Sequence, residues 1–255
     1  MTRQAKHLDE LEQLRFDDDS GAPQPIAMVR FPERPATVDP RELPRRKLTT
    51  PDGRAALLHA LAHIEFTAIH LAWDLLYRFR GLPDEFYRDW LAVAAEEALH
   101  FELLRGRLRE LGCDYGDLPA HRGLWDVAED TAGDVAARLA LVPRCMEARG
   151  LDVTPGMIAK LEQIGDEPSA AILRRILHDE VGHVALGSRW FRWVCEQRRD
   201  APEDTYFRLV ETYLRSEVRG PYNRNLRLQA GFTERELIRL EAKGKQGGCS
   251  SALPK

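Results

Sequence analysis

Four stretches between residues 52 and 200 place apolar residues every three to four positions, the spacing that lines one face of a helix. The first, about 52–80, carries Leu58, Leu61, Ala62, Ile69, Ala72 and Leu76, with Asp52 read as its N-cap and Gly81 and Pro83 as its stop. The second, about 84–111, has Trp90, Val93, Ala94, Leu104 and Leu108 on its inner stripe and ends at Gly112. The third, about 124–149, is interrupted by Gly133 and bent by Pro143, which lacks a backbone donor. Pro155 and Pro168 bracket a short helical stretch, and the fourth long helix follows at about 169–198, with Ile172, Leu173, Ile176, Leu177, Val184 and Phe191 inward. The pattern predicts an all-α chain built on a four-helix bundle.

The flanks read differently. Residues 1–20 could form a polar helix, but the prolines between Gly21 and Pro51 forbid a continuous one and predict an extended arm. Beyond Pro202, EDTYFRLVETYLRSEV reads as a further helix, GPYNRNLRLQAGF as a linker and TERELIRLEAK as a closing helix, opened by the Thr233/Glu236 capping box. The expected organisation is an N-terminal arm wrapping the bundle (1–51), the bundle (52–200), a C-terminal helical extension (201–243) and a disordered tail (244–255).

Two of the four long helices contain Glu-x-x-His: Glu97 with His100, and Glu180 with His183. Residues three apart share a helix face, so each motif can aim a carboxylate and an imidazole at one ion. The other two helices each carry one glutamate, Glu65 and Glu147, on an apolar stripe, where an unpaired charge is costly to bury. Glu65 and Glu147 are 82 positions apart, while Glu97 to Glu180 and His100 to His183 are each 83. A near-constant offset across three ligand positions marks a duplicated helix pair. Four carboxylates then balance two divalent cations, and a mixed oxygen and nitrogen donor set without thiolates suits iron or manganese, or a mixed pair, rather than structural zinc.

Composition narrows the remaining choices. A net charge of −4 gives no overall pull toward nucleic acid or an anionic membrane, although the stretches 34–47 and 219–227 are locally basic. The N-terminus lacks the apolar core of an export signal and no uninterrupted apolar stretch reaches spanning length, so a cytoplasmic protein without a membrane is expected. The four cysteines, Cys113, Cys145, Cys195 and Cys249, show no metal-binding spacing and are read as reduced thiols, with Cys145 in the core. Glu102 and Glu110 are read as surface partners of Arg105, Arg107 or Arg109, and Arg144 and Arg149 as partners of loop carboxylates in preference to an acidic or phosphate-bearing substrate.

The ligand pattern matches the template of ferritin-like di-iron and di-manganese carboxylate proteins. Within that superfamily the chain resembles the family catalogued as domain of unknown function 455, through HALAHIEFTAIHLAWDLLYRF, AAEEALHFELLRGRLRELGCDYGD, VPRCMEARGLDVTP, ILHDEVGHVALG and RGPYNRNLRLQAGF. It is more distantly similar to di-iron hydroxylases acting on a modified adenosine in tRNA. The resemblance implies that the acid before each Glu-x-x-His orients the imidazole of the other half, Asp179 holding His100 and Glu96 holding His183. It further implies an oxidase or hydroxylase using O₂, two iron ions, an electron donor and a small organic or nucleoside-like substrate. Ferroxidase activity with iron storage or detoxification is the alternative. A binding adaptor that merely kept the ligands is a third reading, disfavoured because an empty site would leave four buried carboxylates repelling one another.

Overall fold

The computed structural model describes Leu14, Pro23, Gln24, Ile26 and residues 32–43, 46–214 and 220–246. The expected helix over 1–20 and the tail beyond 246 lie outside these residues, apart from Leu14. Every regular element among the described residues is helical. The helices are α1 (Pro51–Arg78), α2 (Asp84–Glu110), α3 (Gly123–Asp130), α4 (Val135–Leu141), a π-helical turn (Val142–Glu147), α5 (Ala148–Gln163), α6 (Glu167–Arg198), α7 (Pro202–Tyr213), α8 (Arg224–Gln229) and α9 (Glu234–Gln246). By compactness the chain divides into two units, residues 1–126 with 164–172 and residues 127–163 with 173–255.

In the first unit α2 packs along α1, the two joined by a short turn at Gly81, whose positive φ suits glycine. Thr50, not Asp52, caps α1: its hydroxyl accepts from Gly53 N at 3.1 Å, and Pro51 occupies the first turn, where its missing N–H costs nothing. Leu58, Ala62, Leu71, Ala72 and Leu75 of α1 are buried, as are Phe86, Trp90, Val93, Leu104 and Leu108 of α2. By length and composition alone α1 is apolar enough to cross a membrane, although His59, His63, Glu65 and Asp74 interrupt its apolar run. Its buried Glu65, His59, His63 and Asp74, and its packing against α2, identify its apolar stripe as core. Asp166, before α6, joins Arg54 of α1 at 3.2 Å and Arg107 of α2 at 2.9 Å. Arg107 also pairs with Glu110, as the helical spacing predicts.

The arm is fastened by backbone as well as side chains. Val38 N donates to Ala120 O and Ala120 N to Ala36 O, a parallel bridge to the loop after α2, and Arg34 bonds Gly116 O and Asp117. That loop is pinned in turn by α1. The His59 ring accepts from Gly116 N at 3.0 Å through Nε2, and His63 bonds Tyr115 Oη and His121 O.

In the second unit α4 packs on α7, and α5 on α8. Pro155 does not end a helix: α5 runs through it, because a proline φ is compatible with the helix and buried Leu151, Ile158 and Leu161 hold both sides. The linker predicted after α7 contains α8, capped by Asn223. The capping box of α9 forms, with Thr233 N donating to Glu236 and Glu236 N to Thr233 Oγ1.

Two outcomes test this framework. A Cβ at Gly187 of α6 would lie 2.5 Å from Cβ of Pro143 in the π-helical turn, and a proline ring cannot swing aside. Gly187→Ala should therefore destabilise the protein by about 1–3 kcal/mol, read as a lower denaturant midpoint; an unchanged midpoint would refute the close approach. Burial first, then the charge of His63, lowers the His59 pKa to about 4, against the opposing pull of Asp117. Because the unfolded ring takes its proton nearer 6.5, this contribution is complete above that pH and is lost as pH falls through 4. Urea unfolding should show about 2 kcal/mol less stability at about pH 5 than at about pH 7.5 from this group, a difference that His59→Gln removes.

Candidate metal centre

The candidate ligands of the first unit come from two facing helix stripes. Glu65 stands on α1 between buried Ala62 and Ala68, while Glu97 and His100, one turn apart on α2, continue the stripe of Val93, Ala94 and Leu104. Glu65 is 5% exposed, Glu97 1% and His100 0%, so two carboxylates of like charge are held out of water beside one imidazole. His100 Nδ1 lies 3.3 Å from Glu65 Oε2 and 3.5 Å from Glu97 Oε2. Burial works against a charged ring, yet the hydrogen bonds and charges of Glu65 and Glu97 outweigh it and raise the His100 pKa to about 10. A proton on Nδ1 and a metal ion thus compete for one position facing two acids.

The second unit contains the other copy of the triplet. His183 is buried on α6, with Nδ1 3.3 Å from Glu180 Oε1 one turn before it, and Glu180 itself is half-buried. Glu147 is half-buried at the last position of the π-helical turn. Such turns insert an extra residue into a helix and recur at functional sites. Here the turn absorbs Pro143, which was expected only to bend the helix.

Glu65, Glu97 and His100 are carboxylate and imidazole ligands that could together hold a metal ion. Their chemistry fits one: a divalent cation neutralises buried carboxylates that would otherwise repel, and oxygen with imidazole nitrogen is a donor set for iron, manganese or zinc. Glu147, Glu180 and His183 are placed by the same spacing in the second unit. Of the acids expected to orient the imidazoles, Asp179 accepts from Arg175 within α6 at 2.5 Å, and Glu96 is half-buried on α2.

Among the described residues no thiol belongs to the group of candidate ligands. Cys145 is buried two residues before Glu147, and burial pushes its pKa up to about 11, so it stays a thiol. Cys113 and Cys195 are likewise free and raised. His70 and His178 are exposed, and His63 and His121 are engaged with each other and with the loop after α2.

The residues that brace the second copy escaped the sequence reading. Arg144, three positions before Glu147, is fully buried and donates to Ser188 Oγ at 3.1 Å and to Glu236 Oε1 at 2.8 Å. Its guanidinium lies within 5.0 Å of the rings of Phe191, Tyr206 and Phe232. Arg227 of α8 grips Asp152 of α5 with two nitrogens, at 2.7 and 2.9 Å. The expectation that Arg144 pairs with a loop carboxylate is corrected: its partner Glu236 is a helical residue 92 positions away. Arg149 pairs with Asp152 and Pro221 O.

Comparison with known proteins gives a consistent but functionally silent result. Residues 1–238 match the family described as protein of unknown function (DUF455). An uncharacterized protein of Haemophilus influenzae is 44% identical over 217 residues, covering 82% of this chain and 75% of the relative. No solved structure matches. On these matches the chain belongs to the DUF455 family.

Proposed function

We propose that the protein is a ferritin-like dinuclear metal enzyme in which each unit supplies one glutamate and one Glu-x-x-His: Glu65, Glu97 and His100 from the first, Glu147, Glu180 and His183 from the second. The proposed metal is iron, with manganese or a mixed pair as the variant, and the reaction is an O₂-dependent oxidation or hydroxylation of a small organic or nucleoside-like substrate. The observation that carries this reading is the burial of Glu65 and Glu97 against His100 in a group able to hold a cation. The same triplet of two glutamates and one histidine recurs once in each compact unit.

When bound, a pair of ferrous ions would supply the electrons that activate O₂. The chain's own part is definable without it. Four carboxylates match the charge of two divalent cations, so the centre adds no net charge to the interior. His100 and His183 must present a neutral Nδ1 to a metal, so loading at His100 displaces the proton that Glu65 and Glu97 otherwise retain there. Val93, Ala94, Leu104 and Leu108 on the stripe of α2 keep water from this half of the site. An electron donor and the organic substrate are the partners this chemistry requires. Iron oxidation for storage or detoxification is the alternative use of the same ligands, and it needs neither an electron donor nor an organic substrate.

Protein purified without oxygen and loaded with ferrous iron should retain two metal ions per chain by elemental analysis and consume O₂ when a reductant is supplied. His100→Ala and His183→Ala should each lower the occupancy. Full occupancy in His183→Ala would exclude His183 as a ligand and end the six-ligand dinuclear reading. Uptake of O₂ that stops once the iron is oxidised, with a mineral retained in a large assembly, would favour the storage alternative. The orienting role assigned to Asp179 is tested separately: Asp179→Ala should weaken metal affinity by about 10- to 100-fold, and unchanged affinity would reject it.

A further inference from the structure

A cavity of about 150 Å³ opens in the first unit between α1, the arm and the loop after α2. It is lined by Leu43, Ala56 and Leu118, with exposed Ala60 and Ile64 at its open side, and no carboxylate is among the residues that line it. On α1 the residues Ala56, Ala60, His63 and Ile64 share one stripe, which lies roughly 150° around the helix from Glu65 by the helical period. The cavity is thus on the far side of α1 from the candidate metal ligands.

The polar side chains at this cavity are those of His63, His121 and Arg46. His63 also lines it, but both ring nitrogens are engaged, by Tyr115 Oη at 2.9 Å and His121 O at 3.1 Å, so it acts as a wall. His121 accepts from Gly123 N through Nδ1 at 3.1 Å, which places the proton of the neutral ring on Nε2 as a donor. Arg46 stands exposed at the rim, and among the described residues no carboxylate pairs with it. The nearby acids of the loop are committed elsewhere: Asp117 to Arg34, and Asp114 to Arg105 and Arg109.

We infer that this cavity is a binding site for a small monocarboxylate whose apolar body is about the size of a benzene ring. The volume sets the size, since an apolar cavity of about 150 Å³ admits benzene. The lining sets the chemistry: aliphatic side chains receive the apolar body, and the guanidinium of Arg46 with His121 Nε2–H receives the anionic end. A cationic ligand finds no counter-charge there. This site is separate from the proposed metal centre and does not require it.

Benzoate and its neutral analogue benzyl alcohol, each titrated calorimetrically into the full chain, test the inference. Benzoate should bind saturably at one site. Arg46→Gln, at an exposed rim position, should weaken benzoate about tenfold while leaving benzyl alcohol within about twofold. Ala60→Leu, which fills the cavity, should abolish both while the protein still melts cooperatively. Treatment with a metal chelator should leave benzoate binding intact, which separates this site from a carboxylate captured by a bound metal. The inference is overturned by the absence of saturable benzoate binding, by equal affinity in Arg46→Gln, or by loss of binding on chelation.

Discussion

Two carboxylates that share one imidazole inside a helix pair dominate the physics of this protein. Glu65 and Glu97 are withdrawn from water on the facing stripes of α1 and α2, with His100 between 3.3 and 3.5 Å from each. Burying like charges so close together is unfavourable unless a cation accompanies them. A proton on His100 meets that need in part, and a metal ion meets it more fully. The remainder of the first unit holds this pair in place: Asp166 ties α1 and α2 through Arg54 and Arg107, and the loop after α2 is bound to His59 and His63.

The second copy of the triplet is braced by different means. Glu147 ends a π-helical turn whose Pro143 lies against Gly187 of α6, one turn beyond His183, so the absence of a side chain at position 187 sets how closely the two segments approach. Arg144 anchors the turn from the other side through Glu236, Ser188 and three aromatic rings. Breaking such a buried pair typically costs about 3–5 kcal/mol, because the surviving charge is left in an apolar surrounding. The C-terminal helices therefore support the part of the chain that carries Glu147, which explains why a compact unit extends well past the fourth long helix.

Much of this was legible in the sequence, for identifiable reasons. Helices α1, α2 and α6 are long and strongly periodic, and the structure places their ends within about two residues of the expected positions. The triplet spacing exposed Glu65, Glu97, His100 and Glu180 because charged residues on apolar stripes stand out against a regular background. What stayed hidden depends on contacts distant in sequence or on the exact course of the backbone. Arg144 meets Glu236 across 92 positions, and nothing local distinguishes it from a surface arginine. Pro155 looked like a helix terminator, since sequence cannot show that packing of Leu151 and Ile158 outweighs one lost hydrogen bond. Thr50 rather than Asp52 caps α1, because proline at the first helical position moves the cap before it.

The central claim is that the two triplets serve one pair of metal ions. X-ray absorption on the iron-loaded protein tests it most directly. The account predicts nitrogen and oxygen neighbours without sulfur, together with a metal–metal scattering path at roughly 3.5–4 Å. Iron surrounded by light atoms alone, with no second metal in the scattering, would contradict it.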